Sequence, residues 1–263
     1  MNQLKEMNIR EILEQSYLLY KSSFLGFIGI VLLIKGPYLI LIYIISQLVS
    51  PFSLRILELL SVPFLDPFMI AAMTLFLFEK LLNSDISVTE AYKMIMKRFI
   101  PLGGTILISG LLISSGFIAG LILIGLNPQI ASFAFMFAPF LAFMLWVWFM
   151  FIPQIVIIEG EGGIGAMKRS RHLAEGYFRK IFILVIAVFL ILSLIAWAIS
   201  FGIGKLALIF GLNGFALGEG LSNVISILCD PFRIAIVPLL YYDLRARKEG
   251  FDTEIMEEEL GKD

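Results

Sequence analysis

LDPFMIAAMTLFLFEK, residues 65–80, sets out the pattern that organises this chain: an acid, a Pro-Phe step, then an apolar run closed by charge. Two later stretches repeat the landmark, FAPFLAFMLWVWFMFI at 137–152 and CDPFRIAIVPLLYYDL at 229–244. Each landmark lies in the outer half of an expected inward span, and each such span follows another apolar stretch. A span needs about 20 apolar residues to cross about 30 Å of hydrocarbon. Six stretches meet that length, at 24–49, 56–79, 102–126, 130–157, 181–204 and 221–243. The first carries so many Leu, Ile, Val and Phe residues that their transfer energy outweighs its single Lys35, at about +3 kcal/mol.

Composition agrees. Of 263 residues, 59% are hydrophobic and 16% charged, where soluble domains carry about 25% charge. The mean hydropathy is +0.94. These values exclude a soluble enzyme and a disordered chain, and the net charge of −1 excludes a basic nucleic-acid footprint. One cysteine and one histidine argue against a disulfide framework, a metal site and a metal cofactor. The first apolar run begins at Phe24, too late for a cleavable leader, so none is expected.

Lys and Arg set the expected orientation. Sixteen cations fall in the N-terminus, the 80–98 and 168–180 loops and the tail, against Arg55 and Lys205 on the opposite side. The positive-inside rule then places both termini in the cytoplasm of a cell-membrane protein. The expected fold is all-α and integral to the membrane. Six transmembrane helices form one domain over 1–250, in three tandem units (8–86, 87–162 and 163–250), followed by an acidic tail at 251–263. Each unit is an amphipathic helix, an outward span, a short turn and an inward span. Each enters and leaves on one side, so the units are related by an axis along the membrane normal.

The amphipathic helices show helical spacing. Ile9, Ile12, Leu13, Tyr17 and Tyr20 share one face, as do Val88, Tyr92, Ile95 and Phe99, with a capping box at Ser87 and Glu90. In the third, Ile164, Met167, Ala174 and Phe178 align, with Lys168, Arg169 and Arg171 opposite or flanking. A basic, apolar-faced helix between spans is expected in the membrane interface, where it can bind anionic headgroups or a protein partner on the cytoplasmic face. The plainer reading, and the one preferred, is an elbow that orients the next span.

Four ionisable residues fall deep in the spans. At 1.5 Å per residue, Lys35 lies roughly 17 Å from the inner edge, Asp66 and Asp230 roughly 15 Å from the outer edge, and Arg233 about 20 Å. Lone charges there cost several kcal/mol, so they must pair, face the bundle or line water. Asp230 and Arg233 can touch at i,i+3, and Lys35 is expected to pair with Asp66 on the adjacent helix. Pro37, Pro67 and Pro231 sit beside them and are expected to interrupt their spans, as in transporter sites built on broken helices. The middle unit has Ala138 in place of the acid. Gly116 and Gly120 form GxxxG, which lets helix backbones approach closely. The glycine-rich segment 201–220 is expected to be a loop or a flexible gate.

IVIIEGEGGIGAMKRSRHLAEGYFRK (155–180) and YYDLRARKEGFD (241–252) carry a resemblance. Their pattern of Glu, Gly, Ala, Arg-Ser and Gly-aromatic, with that C-terminal signature, resembles the membrane domain found upstream of some glycerophosphoryl diester phosphodiesterases. Arg171 departs from it, standing where an aromatic is expected. The hydrolytic activity of that family belongs to a separate soluble barrel. The resemblance therefore implies a membrane module that handles lipid or lipid-derived metabolites, not an enzyme. In residue terms, Glu159 and Glu161 favour a helix start, and Asp243 is expected to pair with the 168–171 cations.

Two functions compete. One is a module that transports or handles a lipid-derived or small polar solute at Lys35, Asp66, Asp230 and Arg233. The other is a non-catalytic scaffold or regulatory subunit that docks through Lys168, Arg169 and Arg171. No residue is assigned to catalysis or to metal binding.

Overall fold

The computed structural model describes residues 6–81, 88–124, 126–210 and 214–250. Of the described residues 90% are helical, and none lies in a strand. The elements run α1 (Ile9–Ser22), α2 (Phe24–Ser46), α3 (Pro51–Leu81), α4 (Val88–Lys97), α5 (Phe99–Ile124) and α6 (Pro128–Phe149). There follow α7 (Ile152–Gln154), a π-helical turn (Ile155–Glu159), α8 (Gly163–Ala174), α9 (Phe178–Ile209) and α10 (Gly214–Glu249). A short helix followed by two long ones thus occurs three times in chain order.

Local chemistry sets several helix ends. Asn8 caps α1: its side chain accepts from the Glu11 amide while the Glu11 carboxylate accepts from the Asn8 amide. Asn127 accepts from the Gln129 and Ile130 amides at the start of α6, with Pro128 in the first turn. Gly160, at φ +75°, ends the π-helical turn in the left-handed region that glycine adopts without strain.

Among the described residues, four helices are long and apolar enough to cross a membrane: Phe24–Ser46, Phe99–Ile124, Gln129–Glu159 and Phe178–Ile209. The other two expected stretches, 56–79 and 221–243, lie inside α3 and α10. Leu65–Phe78 of α3 is a shorter apolar helix. Many large apolar side chains face outward, among them Ile40, Tyr43, Leu121, Phe133, Phe140, Leu194, Trp197 and Ile209. Soluble monomers rarely expose apolar patches beyond a few hundred Å². A lipid surround accounts for such a surface.

The core lies toward one end of the bundle. Met69–Phe78 of α3, Phe151–Ile158 and Ile234–Leu244 of α10 interlock there. Phe78 packs between Tyr241 and Tyr242, and Phe27 of α2 meets Phe76 edge-on. Gly26 makes room for that contact, since a Cβ there would strike the Phe76 ring. Hairpin partners α2/α3, α5/α6 and α9/α10 pack together, and α10 also packs on α1, α2 and α3.

Three expectations are corrected. The prolines do not interrupt their spans: α2 continues through Pro37, α3 through Pro67 and α10 through Pro231. A proline removes one helical hydrogen bond, and in an apolar surround the remaining backbone groups still require theirs. For the same reason the segment 201–220 is not a long loop. Phe201–Ile209 completes α9 and Gly214–Gly220 begins α10, despite the poor helix propensity of glycine. Nor does the expected apolar face of α1 hold in full, because α1 is tied to α10. Near its start the Met7 amide donates to Asp243, near its end the Tyr20 hydroxyl donates to the Leu228 carbonyl at 2.8 Å, and α10 carries both partners. Within its expected apolar face Ile12 is fully buried, whereas Tyr17 is exposed and Ser16 is buried instead. The 251–263 tail and the Ser87 capping box lie outside the described residues.

Candidate functional site

The four deep charges come together where α2, α3 and α10 meet. Lys35 of α2 forms an ion pair with Asp230 of α10. Arg233, one turn along α10, places Nη2 3.2 Å from Asp230 Oδ1 and 3.4 Å from Asp66 Oδ2 of α3. The expected Lys35–Asp66 pair is therefore replaced: Lys35 pairs with Asp230, and Arg233 reaches Asp66. The chain-adjacent hairpin suggested the first pairing, but α10 packs against both hairpin helices and presents two charges at i,i+3. Two bases balance two acids, which compensates charge in a low-dielectric surround. The grip is uneven. Asp230 is held by two cations and is 8% exposed. Asp66 has one contact, well beyond the 2.7–2.9 Å of a strong charge-assisted bond. The Asp66 and Arg233 side chains are 26% and 34% exposed.

Ala138, where the other units carry an acid, is 2% exposed and faces Gly116, while Gly120 faces the Phe135 ring. A Cβ added at Gly116 would stand 3.2 Å from the Ala138 Cα, so the close α5/α6 approach needs small residues on both sides.

A second polar centre joins the chain ends. Asp243, fully buried, accepts from the Met7 amide at 2.7 Å and from Arg247 Nε at 3.0 Å, and pairs with Lys180 at the start of α9. The expected pairing of Asp243 with the 168–171 cations does not occur. Arg169 instead bonds Glu159 at 2.7 Å and, through both terminal nitrogens, Glu249. Tyr241 donates to Glu159 at 2.6 Å, and Arg245 lies 3.1 Å from Glu249. The two stretches that carry the family resemblance thus meet in space. Their other members also have structural work. Ser170 donates to the Trp148 carbonyl at 2.6 Å and accepts the Phe151 amide, bridging the break between α6 and α7. Arg98 bonds the Val156 carbonyl within the π-helical turn.

The basic helix is divided by this clasp. Lys168 is exposed, Arg171 stacks over Trp148 at 4.4 Å, and Arg169 is committed internally. Burial alone would lower the Arg169 pKa, but hydrogen bonds to Glu249 and Glu159 outweigh it and raise it. Burial would likewise raise Glu249, but hydrogen bonds from Arg169 and Arg245 hold it below its ordinary 4.5.

That depression gives a pH prediction. A carboxyl lowered in the fold adds stability that is complete above its unfolded pKa and is lost as pH falls through the folded value. Hydrogen exchange at 241–249 should stay slow down to about pH 4.5 and accelerate below it, through loss of this clasp. Glu249→Gln should show the faster exchange already at pH 7.

Tyr241, Glu249 and Met7 escaped the sequence reading. The i,i+4 run Tyr241–Arg245–Glu249 is a local signal that could have been found. The partner Glu159 lies 82 positions away from Tyr241 and could not. Among the described residues no group of three or more His, Cys, Asp or Glu could hold a metal ion.

Fold and site together define an all-α protein with helices of membrane-spanning length, one charge cluster where α2, α3 and α10 meet, and one clasp between the 155–180 and 241–249 stretches. The chain belongs to the family described as domain of unknown function (DUF7847), whose model matches residues 21–244. No curated protein and no solved structure matches it.

Proposed function

We propose that this chain is a six-span cell-membrane module of three tandem units, with both termini cytoplasmic and no catalytic site of its own. It carries or handles a small polar or lipid-derived solute at Lys35, Asp66, Asp230 and Arg233. One observation supports this reading above the others: the Asp66 and Arg233 side chains are a quarter and a third exposed while charged. Exposure of charge to hydrocarbon costs several kcal/mol. The open side of the cluster therefore faces a polar path rather than lipid tails. The resemblance to the membrane domain beside glycerophosphoryl diester phosphodiesterases supports a lipid-derived solute. The scaffold reading is weaker because Arg169 is spent on the clasp. Exposed Lys168 and stacked Arg171 still offer cations to anionic headgroups.

The test uses the single thiol, Cys229, which is partly exposed and adjoins Asp230. Intact membranes are treated with a charged, water-soluble thiol reagent and Cys229 modification is followed by mass. Labelling within minutes in the native membrane is the expected result. Labelling that requires denaturation would overturn the polar path.

A further inference from the structure

We infer that Arg233 is the docking group for an oxyanion, phosphate or carboxylate, and that Asp66 is the internal competitor which the ligand displaces. The inference rests on the proposed polar path and names the ligand class for it. Two observations carry it, together with the geometry of a guanidinium. Both ion pairs of the Arg233 guanidinium run through Nη2, at 3.2 and 3.4 Å. Its Nε is buried and, among the described residues, has no hydrogen-bond partner. A guanidinium presents five donors in a fork that matches a carboxylate or phosphate edge-on. This fork is occupied at one corner only. A buried donor without a partner is costly unless something completes it.

The two acids are not equivalent as competitors. Asp230 is clamped between Lys35 and Arg233, so it stays with α10 when Arg233 turns to a ligand. Asp66 hangs on one 3.4 Å contact from a separate helix. An incoming oxyanion therefore exchanges with Asp66 at Arg233, while Lys35 adds positive field without leaving Asp230. Lys168 and Arg171 lie on a different helix, α8, and provide the control for surface binding.

The test is phosphate binding to the full chain in phosphatidylcholine nanodiscs, by calorimetry, in two arms. One titrates inorganic phosphate; the other compares nanodiscs with and without phosphatidic acid by thermal stability. In whichever arm responds, Asp66→Asn should tighten binding about tenfold or more, since a competing like charge is gone. Arg233→Gln should abolish the response, and Arg233→Lys, which keeps the charge but loses the fork, should weaken it about tenfold. In the inorganic phosphate arm, the double change Lys168→Ala and Arg171→Ala should leave the response intact. A response to phosphate alone assigns a soluble anion; a response to phosphatidic acid alone assigns a lipid headgroup. The inference is overturned if neither probe binds, if Arg233→Gln binds as wild type does, or if Asp66→Asn fails to tighten binding. The two variants move in opposite directions, so a general loss of folding cannot imitate the pattern. Labelled Cys229 with no anion binding removes this inference and leaves the polar path; unlabelled Cys229 removes the path itself.

Discussion

Asp243→Ala should cost about 3–5 kcal/mol of stability, more than any other single change in the terminal clasp. The reason is the number of charged donors that converge on one fully buried carboxylate. Lys180 brings the start of α9, Arg247 the end of α10, and the Met7 amide the segment before α1. Lys180 and Arg247 also both donate to the Met7 carbonyl, at 2.6 and 2.8 Å. Removing the acid leaves two cations facing each other across a backbone carbonyl, with no anion between them. Asp243→Asn keeps an acceptor for the Met7 amide but not the charge, and should fall between wild type and Ala. Glu6→Ala should be nearly silent, because the Glu6–Arg247 pair is solvent-exposed and such pairs contribute about 0–1 kcal/mol. Thermal unfolding in nanodiscs, followed by tryptophan fluorescence, ranks the three. An Asp243→Ala protein within about 1 kcal/mol of wild type would mean that the cations relax to other partners, and that the chain ends are held by apolar packing alone.

What was legible in the sequence was local. Apolar runs of span length located every long helix, because backbone groups in an apolar surround have one economical solution, the helix. Their ends shifted by several residues, as with α9, which begins at Phe178 rather than at 181 and continues to Ile209. The four charges stood out as ionisable residues inside apolar runs, and the structure brings all four together. Their pairing was not readable. Lys35 and Asp66 lie on consecutive helices, and only the position of α10 against both α2 and α3 gives Asp230 to Lys35. Distance along the chain also hid the clasp. Glu159, Arg169 and Tyr241 carry plausible local roles one by one, and nothing in the 155–180 stretch says that it faces 241–249. Pro37, Pro67 and Pro231 misled for the opposite reason. Proline has a strong local cost, about 3 kcal/mol in water, yet a helix without a water-bonded alternative continues past it.

The cluster between α2, α3 and α10 makes the sharpest prediction about single against paired substitution. Asp230→Leu should cost about 3–5 kcal/mol, since it strips Lys35 of its partner and leaves two cations against the single acid Asp66. Lys35→Met should also destabilise, because Asp230 then relies on Arg233, which it shares with Asp66. The double change Lys35→Met and Asp230→Leu removes one acid and one base together. Arg233 and Asp66 remain as a neutral pair, and two apolar side chains of similar bulk fill the space. Such replacements of a buried pair are commonly neutral or stabilising, so the double variant should unfold within about 1 kcal/mol of wild type. The cycle should therefore give a coupling of roughly 3 kcal/mol or more between Lys35 and Asp230. Unfolding each variant in nanodiscs measures it. A double variant as unstable as Asp230→Leu would show that Lys35 does not act through Asp230. Read beside the phosphate titration, the same four proteins separate holding from handling. If the double variant is stable and still binds phosphate through Arg233, the Lys35–Asp230 pair serves to fix α2 against α10 while Arg233 and Asp66 do the exchange. If it is stable but no longer binds, the pair is part of the ligand site itself, because an apolar pair holds the fold as well and what has gone is the positive field of Lys35 and the hold of Asp230 on Arg233.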